Sequence, residues 1–244
     1  MFSLCIPTMD RFDHFLQRYL PFYLSYDLIS EIIICDENGN DIDKISRHFP
    51  DQPKLKLFKN ETRLGPFMNK LNVCKRAANE WIALMDSDNF ANELYFQRGK
   101  KYIEEEIGKQ KQIILAPSKA NPFDFTKLNN FIYKKGNFEK NNALERERGN
   151  SNSNVLMNTG NYILNKFLID NLNIESELNN IPMSSACDVI FFNTLLFEQL
   201  DLNMHVVPDF EYEHVRHDGS IYLQTCELFK DFNEYIDERY RMLR

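Results

Sequence analysis

Glycine is scarce in this chain, eight in 244 residues, and neither G-x-G-x-x-G nor G-x-x-x-x-G-K-[ST] follows any strand-like run. Those loops let backbone amides close around phosphate, so their absence argues against a Rossmann dehydrogenase or a P-loop enzyme. The stretch "IPTMDRFDHF" also lacks the glycine-rich loop that a sugar-nucleotide pyrophosphorylase or another nucleotidyltransferase wants after its first strand. Positive charge is short as well. Lys and Arg number 29 against 36 Asp and Glu, for a formal net charge of -7, and no dense basic block occurs. A nucleic-acid partner is therefore not expected. Five cysteines are scattered with no C-x-x-C pair, and two fall in strand-like runs, which suits a reducing compartment. No run approaches the roughly 18 apolar residues of a membrane span, and no secretory leader pattern opens the sequence. The expectation is a cytoplasmic protein without a membrane span.

What is present is a chain able to bury a large core, 43% hydrophobic and 13% aromatic. Short apolar runs alternate with helical patterns: "FSLCIP", "DRFDHFLQRYLPFYLSY", "EIIICD", "DIDKISRHF", "KLKLFK", "GPFMNKLNVCKRAAN" and "EWIALMD". This order predicts a mainly parallel sheet covered on both faces. Ligands of such sheets bind beyond the carboxyl ends of the strands. Pro7 to Arg11, Asp36 to Asp41, Asn60 to Gly65 and Asp86 to Asn89 are the residues so placed. A helix "KKYIEEEIGKQKQ" and a fifth strand "IILAPS" follow. Residues 136–154 are polar and Asn-rich, which predicts a mobile loop. Then come "VLMNTGNYILN", a helix "SSACDVIFFNTLLFEQL", two strands "NMHVVP" and "FEYEHV", and a charged closing helix from Tyr222 on.

Asp86 and Asp88, two residues apart at a strand end, can serve a divalent cation that prefers carboxylate and water oxygens. They can equally make an Asx-turn and a helix cap before "ANELYFQRGKKYIEEE". Together with its neighbours, the pair resembles family 2 glycosyltransferases of the GT-A fold. "SLCIPTMDR" is similar to that family's first strand and turn, "IIICDENGND" to its second-strand acidic turn, and "AANEWIALMDSDN" to its Asp-x-Asp segment. Farther on, "NTGNYILNK" resembles the acceptor-side Gly-Asn loop and "YEHVRHDGS" a late His-containing metal or phosphate loop.

The resemblance implies an α/β GT-A fold as one continuous domain, with a mainly parallel central sheet flanked by helices. Residues 1–117 would form the nucleotide-sugar-binding half, and 118–244 the acceptor-side half with the loop and the closing helix. It implies a transferase moving sugar from a nucleotide sugar, a UDP-sugar by preference, to a hydroxyl of a glycan, glycoprotein or glycolipid, with Mn2+ or Mg2+ and inversion. A binding module without turnover, or a subunit of a larger transferase, is the alternative.

By the same resemblance Asp86 faces the ribose or a metal-bound water, with Ser87 beside it, and Asp88 ligates the metal. Asp36 or Glu37 accepts the uracil imide N–H, and Thr8 and Arg11 line the donor site. Arg63 and Lys70, beside Gly65 at a helix start, suit phosphate, although both also read as a solvated face. Asn158, Gly160 and Asn161 fall on the acceptor side. Asp188 is the expected general base, while Ser185-x-x-Asp188 is also a capping-box spacing. His217 is preferred to His214 as a metal or phosphate ligand, because it lies in the turn before Gly219 rather than at a strand end.

Overall fold

The computed structural model describes residues 1–137, 153–185, 187–220 and Arg239. Nearly the whole of the expected loop 136–154, and the closing helix apart from Arg239, lie outside them. Among the described residues one nine-stranded sheet runs through the molecule. Its strands are β1 (Phe2–Thr8), β2 (Ile29–Asp36), β3 (Leu55–Lys59), β4 (Trp81–Leu84), β5 (Ile113–Asn121), β6 (Phe123–Asp124), β7 (Ile132–Tyr133), β8 (Tyr162–Asn165) and β9 (Asn203–Glu213). The order is β3-β2-β1-β4-β8-β5-β9-β7, with β6 pairing on β5.

The first four strands are mutually parallel, as their apolar runs predict, and β1 and β2 are buried almost end to end. β1 feeds β2 and β3 on one side and β4 on the other, so the chain reverses its direction of growth beside β1. That switch is where open α/β sheets leave a crevice at their carboxyl edge. Beyond β4 the sheet turns mixed. β8 runs antiparallel between β4 and β5, and β9 runs parallel to β5. Two of the sequence's expected strands are one: "NMHVVP" and "FEYEH" join across Pro208 and Asp209. Pro208 has no N–H to give and Asp209 adopts φ 56°, so the strand bulges there instead of ending. The Ser118 hydroxyl fills the gap, accepting from Phe210 N at 3.2 Å and donating to Phe210 O at 3.3 Å.

The helices α1 (Gln17–Ser25), entered through one π turn at Phe12–Leu16, α2 (Asn40–His48), α3 (Pro66–Lys75), α4 (Glu93–Tyr102), α5 (Ser153–Met157), α6 (Lys166–Asn171) and α7 (Asp188–Leu200) pack around the sheet. Their starts have local causes. Gly39 at φ 89° turns the chain out of β2, and the buried Asp36 carboxylate then accepts the N–H groups of Asn38, Asp41 and Ile42 at 3.2, 2.8 and 3.2 Å. Pro66 opens α3 directly after Gly65, which holds φ 82°. Asn92 caps α4 by accepting from Tyr95 N. Asp86 and Asp88 are thereby free of the capping duty that their spacing allowed. No helix among the described residues is long and apolar enough to cross a membrane.

Candidate active site

The carboxyl edge of β1, β2, β3 and β4 gathers the expected donor-side residues. At the end of β1, Thr8 is buried and donates to Asp41 Oδ2 at 2.5 Å, while Arg11 N and Phe12 N also bond the Asp41 carboxylate. Asp41, included among the strand-end residues but given no role of its own, therefore ties the first turn to the start of α2. Its position five residues beyond the strand end was the only clue. The Arg11 guanidinium donates to Gly219 O at 2.8 Å, bringing the 214–220 loop down onto the β1 turn.

At the β2 end the two acids part company. Burial pushes the Asp36 carboxyl pKa up, and its oxygens are taken by the α2 cap. Glu37 is also raised by burial, with Leu64 N, Arg63, Asn60 and the Gly65 N–H opposing, and it accepts from Leu64 N at 2.7 Å through Oε2. Its other oxygen, Oε1, is buried and without a hydrogen-bond partner in the structure. A buried acceptor left open costs free energy unless something else fills it. Arg63 itself is exposed on the turn before Gly65.

The β4 end carries the centre of the site. The Asp86 backbone N–H donates to Asn161 Oδ1 at 2.6 Å, and Asn161 Nδ2 donates back to Asp86 Oδ2 at 3.2 Å and to Thr159 O at 2.6 Å. Asn161 is fully buried, so it brackets the Asp-Ser-Asp turn from β8 instead of facing an acceptor. Ser87 is buried within that turn. Gly160, next to Asn161, adopts φ 60° and lies against Val189 of α7, and Asn158 sits at the turn after α5.

Lys70 departs most from its expected place. It points inward from α3, with its ammonium 2.9 Å from Asp86 Oδ1 and 2.8 Å from Asp188 Oδ2. Side-chain exposure is 10% for Lys70 and 1% for Asp188. Burial disfavours the ammonium, but the two carboxylates outweigh it and raise the lysine pKa. Burial raises the Asp188 pKa, and Lys70 pulls it the other way. Asp188 is the first residue of α7, whose cap Cys187 makes no side-chain cap bond, so the capping-box spacing is not used.

On the outer side of the turn, His217 Nε2 stands 3.0 Å from Asp88 Oδ2, its ring packed on Phe15 with centroids 4.8 Å apart. Val215 N donates to Asn89 Oδ1 at 2.9 Å and fixes the same loop. His214 is held between Phe123 and Tyr212, and burial lowers its pKa. The Asp86 and Asp88 carboxylates oppose that shift, and the His214 Nδ1 is buried without a hydrogen-bond partner. Among the described residues no three His, Cys, Asp or Glu side chains gather on a common point. A carboxylate and an imidazole in contact still fit a divalent cation whose other ligands come from a diphosphate and water. Asp88 and His217 are the residues that fit, since both oxygens of Asp86 are engaged, Oδ1 by Lys70 and Oδ2 by Asn161.

A parallel half-sheet with an Asp-Ser-Asp turn at its carboxyl edge, faced by a mixed second half, defines the GT-A class of glycosyltransferase fold. The chain matches the family model for glycosyl transferase family 2 over residues 3–167, and it belongs to that family. Solved structures of S. aureus TarS share the fold. TarS 1-349 is 16% identical, with a TM-score of 0.63, over 98% of this chain and 64% of that one. TarS 1-349 in complex with UDP-GlcNAc is 15% identical, with a TM-score of 0.67, over 98% of this chain and 66% of that one. The complex with UDP gives 15% identity and a TM-score of 0.61, over 99% and 64%. This chain thus spans about two thirds of the TarS fragment's length. No curated protein matches it in sequence.

Proposed function

We propose that this protein transfers a sugar from a UDP-sugar to the hydroxyl of a glycan, glycoprotein or glycolipid, with a divalent cation and inversion at the anomeric carbon. The observation that carries the reading is the meeting of Asp86, from the donor edge, and Asp188, from α7, on one ammonium. Donor-side and acceptor-side acids are thereby held side by side at the mouth of the sheet. Glu37 Oε1 suits the imide N–H of uracil, being a buried acceptor that makes no well-formed hydrogen bond in the structure. Gly65 and the first free amides of α3 suit a phosphate. Asp88 and His217 would hold Mn2+ or Mg2+, which supplies positive charge to the departing diphosphate.

Asp188 takes the proton of the acceptor hydroxyl. The acceptor oxygen then bonds to the anomeric carbon as the bond from that carbon to the diphosphate oxygen breaks, and UDP leaves with the electron pair. The base sits inside the protein, so the protonated acid it becomes is the form that burial favours.

The test is a thermal-shift series with UDP and UDP-sugars, with and without Mn2+, followed by UDP release. Ligands that bind the native state raise its melting point by mass action. Asp188→Asn is expected to lower turnover about 100-fold with donor affinity unchanged. UDP binding with no turnover by the parent toward any acceptor would favour the binding-module reading. Normal turnover by Asp188→Asn would remove that residue as base.

A further inference from the structure

Among the described residues Lys70 is the cation that touches both Asp86 and Asp188, and a free phosphate-binding lysine would be placed differently. Two of its three N–H donors are engaged, one by Asp86 Oδ1 at 2.9 Å and one by Asp188 Oδ2 at 2.8 Å. The lysine projects from the middle of α3, behind the Gly65 turn where the free amides lie. α3 packs on β1, β2 and α7, so the base of the side chain is anchored in the core. The two acids come from different parts of the chain: Asp86 follows β4, and Asp188 opens α7, 118 residues beyond Lys70. Two carboxylates brought this close repel one another, and burying Asp188 without a counter-charge is expensive. One rigidly based ammonium removes both objections and fixes the distance between the two oxygens.

We propose that Lys70 is a positioning residue that pins the Asp188 carboxylate beside the Asp-Ser-Asp turn, and that it acts on transfer through Asp188 and not by holding the donor phosphates. The role assigned to Asp188 rests on the reading under Proposed function; the contact itself does not. With Oδ2 fixed by Lys70 and the carboxylate also bonded by the Val189 N–H, the orientation of Asp188 is set from two sides. Lysine suits this place as a compact point charge whose donors reach carboxylates from two separate elements.

The test has two arms on the full chain. In the first, lysines are acetylated with acetic anhydride and followed residue by residue by mass spectrometry. Lys70 is expected to label at least 10-fold more slowly than exposed Lys109 and Lys111 in the free protein, with UDP and Mn2+ adding little further protection. Asp188→Asn is expected to raise Lys70 labelling about 10-fold. A Lys70 that reacts freely until UDP is added, or whose rate ignores Asp188→Asn, overturns the clamp whatever the enzyme does.

The second arm measures UDP release and UDP affinity for Lys70→Met, Asp188→Asn and the two combined. Lys70→Met is expected to lower kcat at least 30-fold with donor KM and UDP affinity within 3-fold of the parent, and the double variant to be no slower than Asp188→Asn alone. A 10-fold loss of UDP affinity with kcat preserved, or losses that multiply in the double variant, overturns the inference. Full turnover by Asp188→Asn defeats the base assignment instead, which separates the two failures. Should Lys70→Met not fold, Lys70→Arg serves the same cycle, with charge kept and geometry altered. It is expected to recover some turnover but less than the parent, and full recovery would show that position does not matter.

Discussion

Replacing Gly160 by alanine puts one methyl group where the structure has no room for it. An ideal Cβ there lies 2.6 Å from Val189 Cγ2 and 3.3 Å from Cγ1, about 0.8 Å short of ordinary contact with the nearer methyl. The neighbour is backed by a packed helix, since Val189 is almost wholly buried at the start of α7. Two costs add. The left-handed conformation at φ 60° disfavours any residue with a Cβ by about 1–2 kcal/mol, and overpacking a filled site costs about 1–3 kcal/mol. Gly160→Ala should therefore lose about 2–5 kcal/mol in urea unfolding, measured by circular dichroism and tryptophan fluorescence. Relief should be partial and specific. With Val189→Ala added, the overpacking share returns and the backbone share stays, giving a coupling of about 1–3 kcal/mol in the cycle. Turnover has its own stake, because Val189 follows Asp188 directly. A shift of the helix start by about 1 Å is enough to cost about 100-fold in rate. The folded fraction of Gly160→Ala is thus expected to bind UDP normally and turn over poorly. Strictly additive stabilities, or a parent-like rate, would refute this account of the seam between β8 and α7.

Three further outcomes are expected. Glu37→Gln should cut the preference for UDP over CDP, about 10-fold in the ratio of affinities by titration calorimetry, because a carboxylate that only accepts becomes an amide that also donates; an unchanged ratio would take Glu37 out of the base pocket. Glu31 lies at the far end of the sheet, where it accepts from Ser3, Lys56, Ala78 N and Asn79. Glu31→Ala should cost about 3 kcal/mol in stability while leaving UDP affinity alone, and a loss under about 1 kcal/mol would show that the cluster is not holding β1 to β2. Burial lowers the His205 pKa, so just below pH 6.5 the unfolded chain binds a proton that the folded one does not. That contribution to stability is complete above the unfolded pKa and falls as pH drops through it. The urea midpoint should decline from pH 7.5 to 5.5 and decline less in His205→Gln, which a parallel pair of curves would contradict.

The first four strands were readable because each is covered on both faces and is therefore apolar throughout. For the same reason their carboxyl ends, and with them Asp86, Asp88, Glu37 and Arg11, stood out at once. The second half was harder. β9 reads as two strands because Pro208 ordinarily ends one, and its pairing with β5 on both sides of the bulge, bridged by the Ser118 hydroxyl, shows that the strand continues. Lys70 beside a glycine turn has a pattern suited to phosphate, and nothing near it in sequence announces an acid 118 positions away. Asn161 reads by resemblance as part of an acceptor-side loop, and its bond to Asp86 appears only when β8 is placed next to β4. Asp36 and Glu37 are interchangeable as letters. Which of them stays open depends on where α2 begins, and that is set by Gly39.

The insertion of β8 between β4 and β5 fixes when the protein becomes competent during its own synthesis. Strands β1 to β5 leave the ribosome with Asp86 and Asp88 already in the chain, but the amide that brackets Asp86 is 75 residues later, Asp188 later still, and His217 near the end of the described sequence. Domains made from the N-terminus gather local elements first, and an antiparallel partner of such high sequence separation docks late. A half-made chain therefore carries the acids assigned to the donor without the groups assigned to breaking it. The site built from both halves can therefore form only after β8 and α7 have been made.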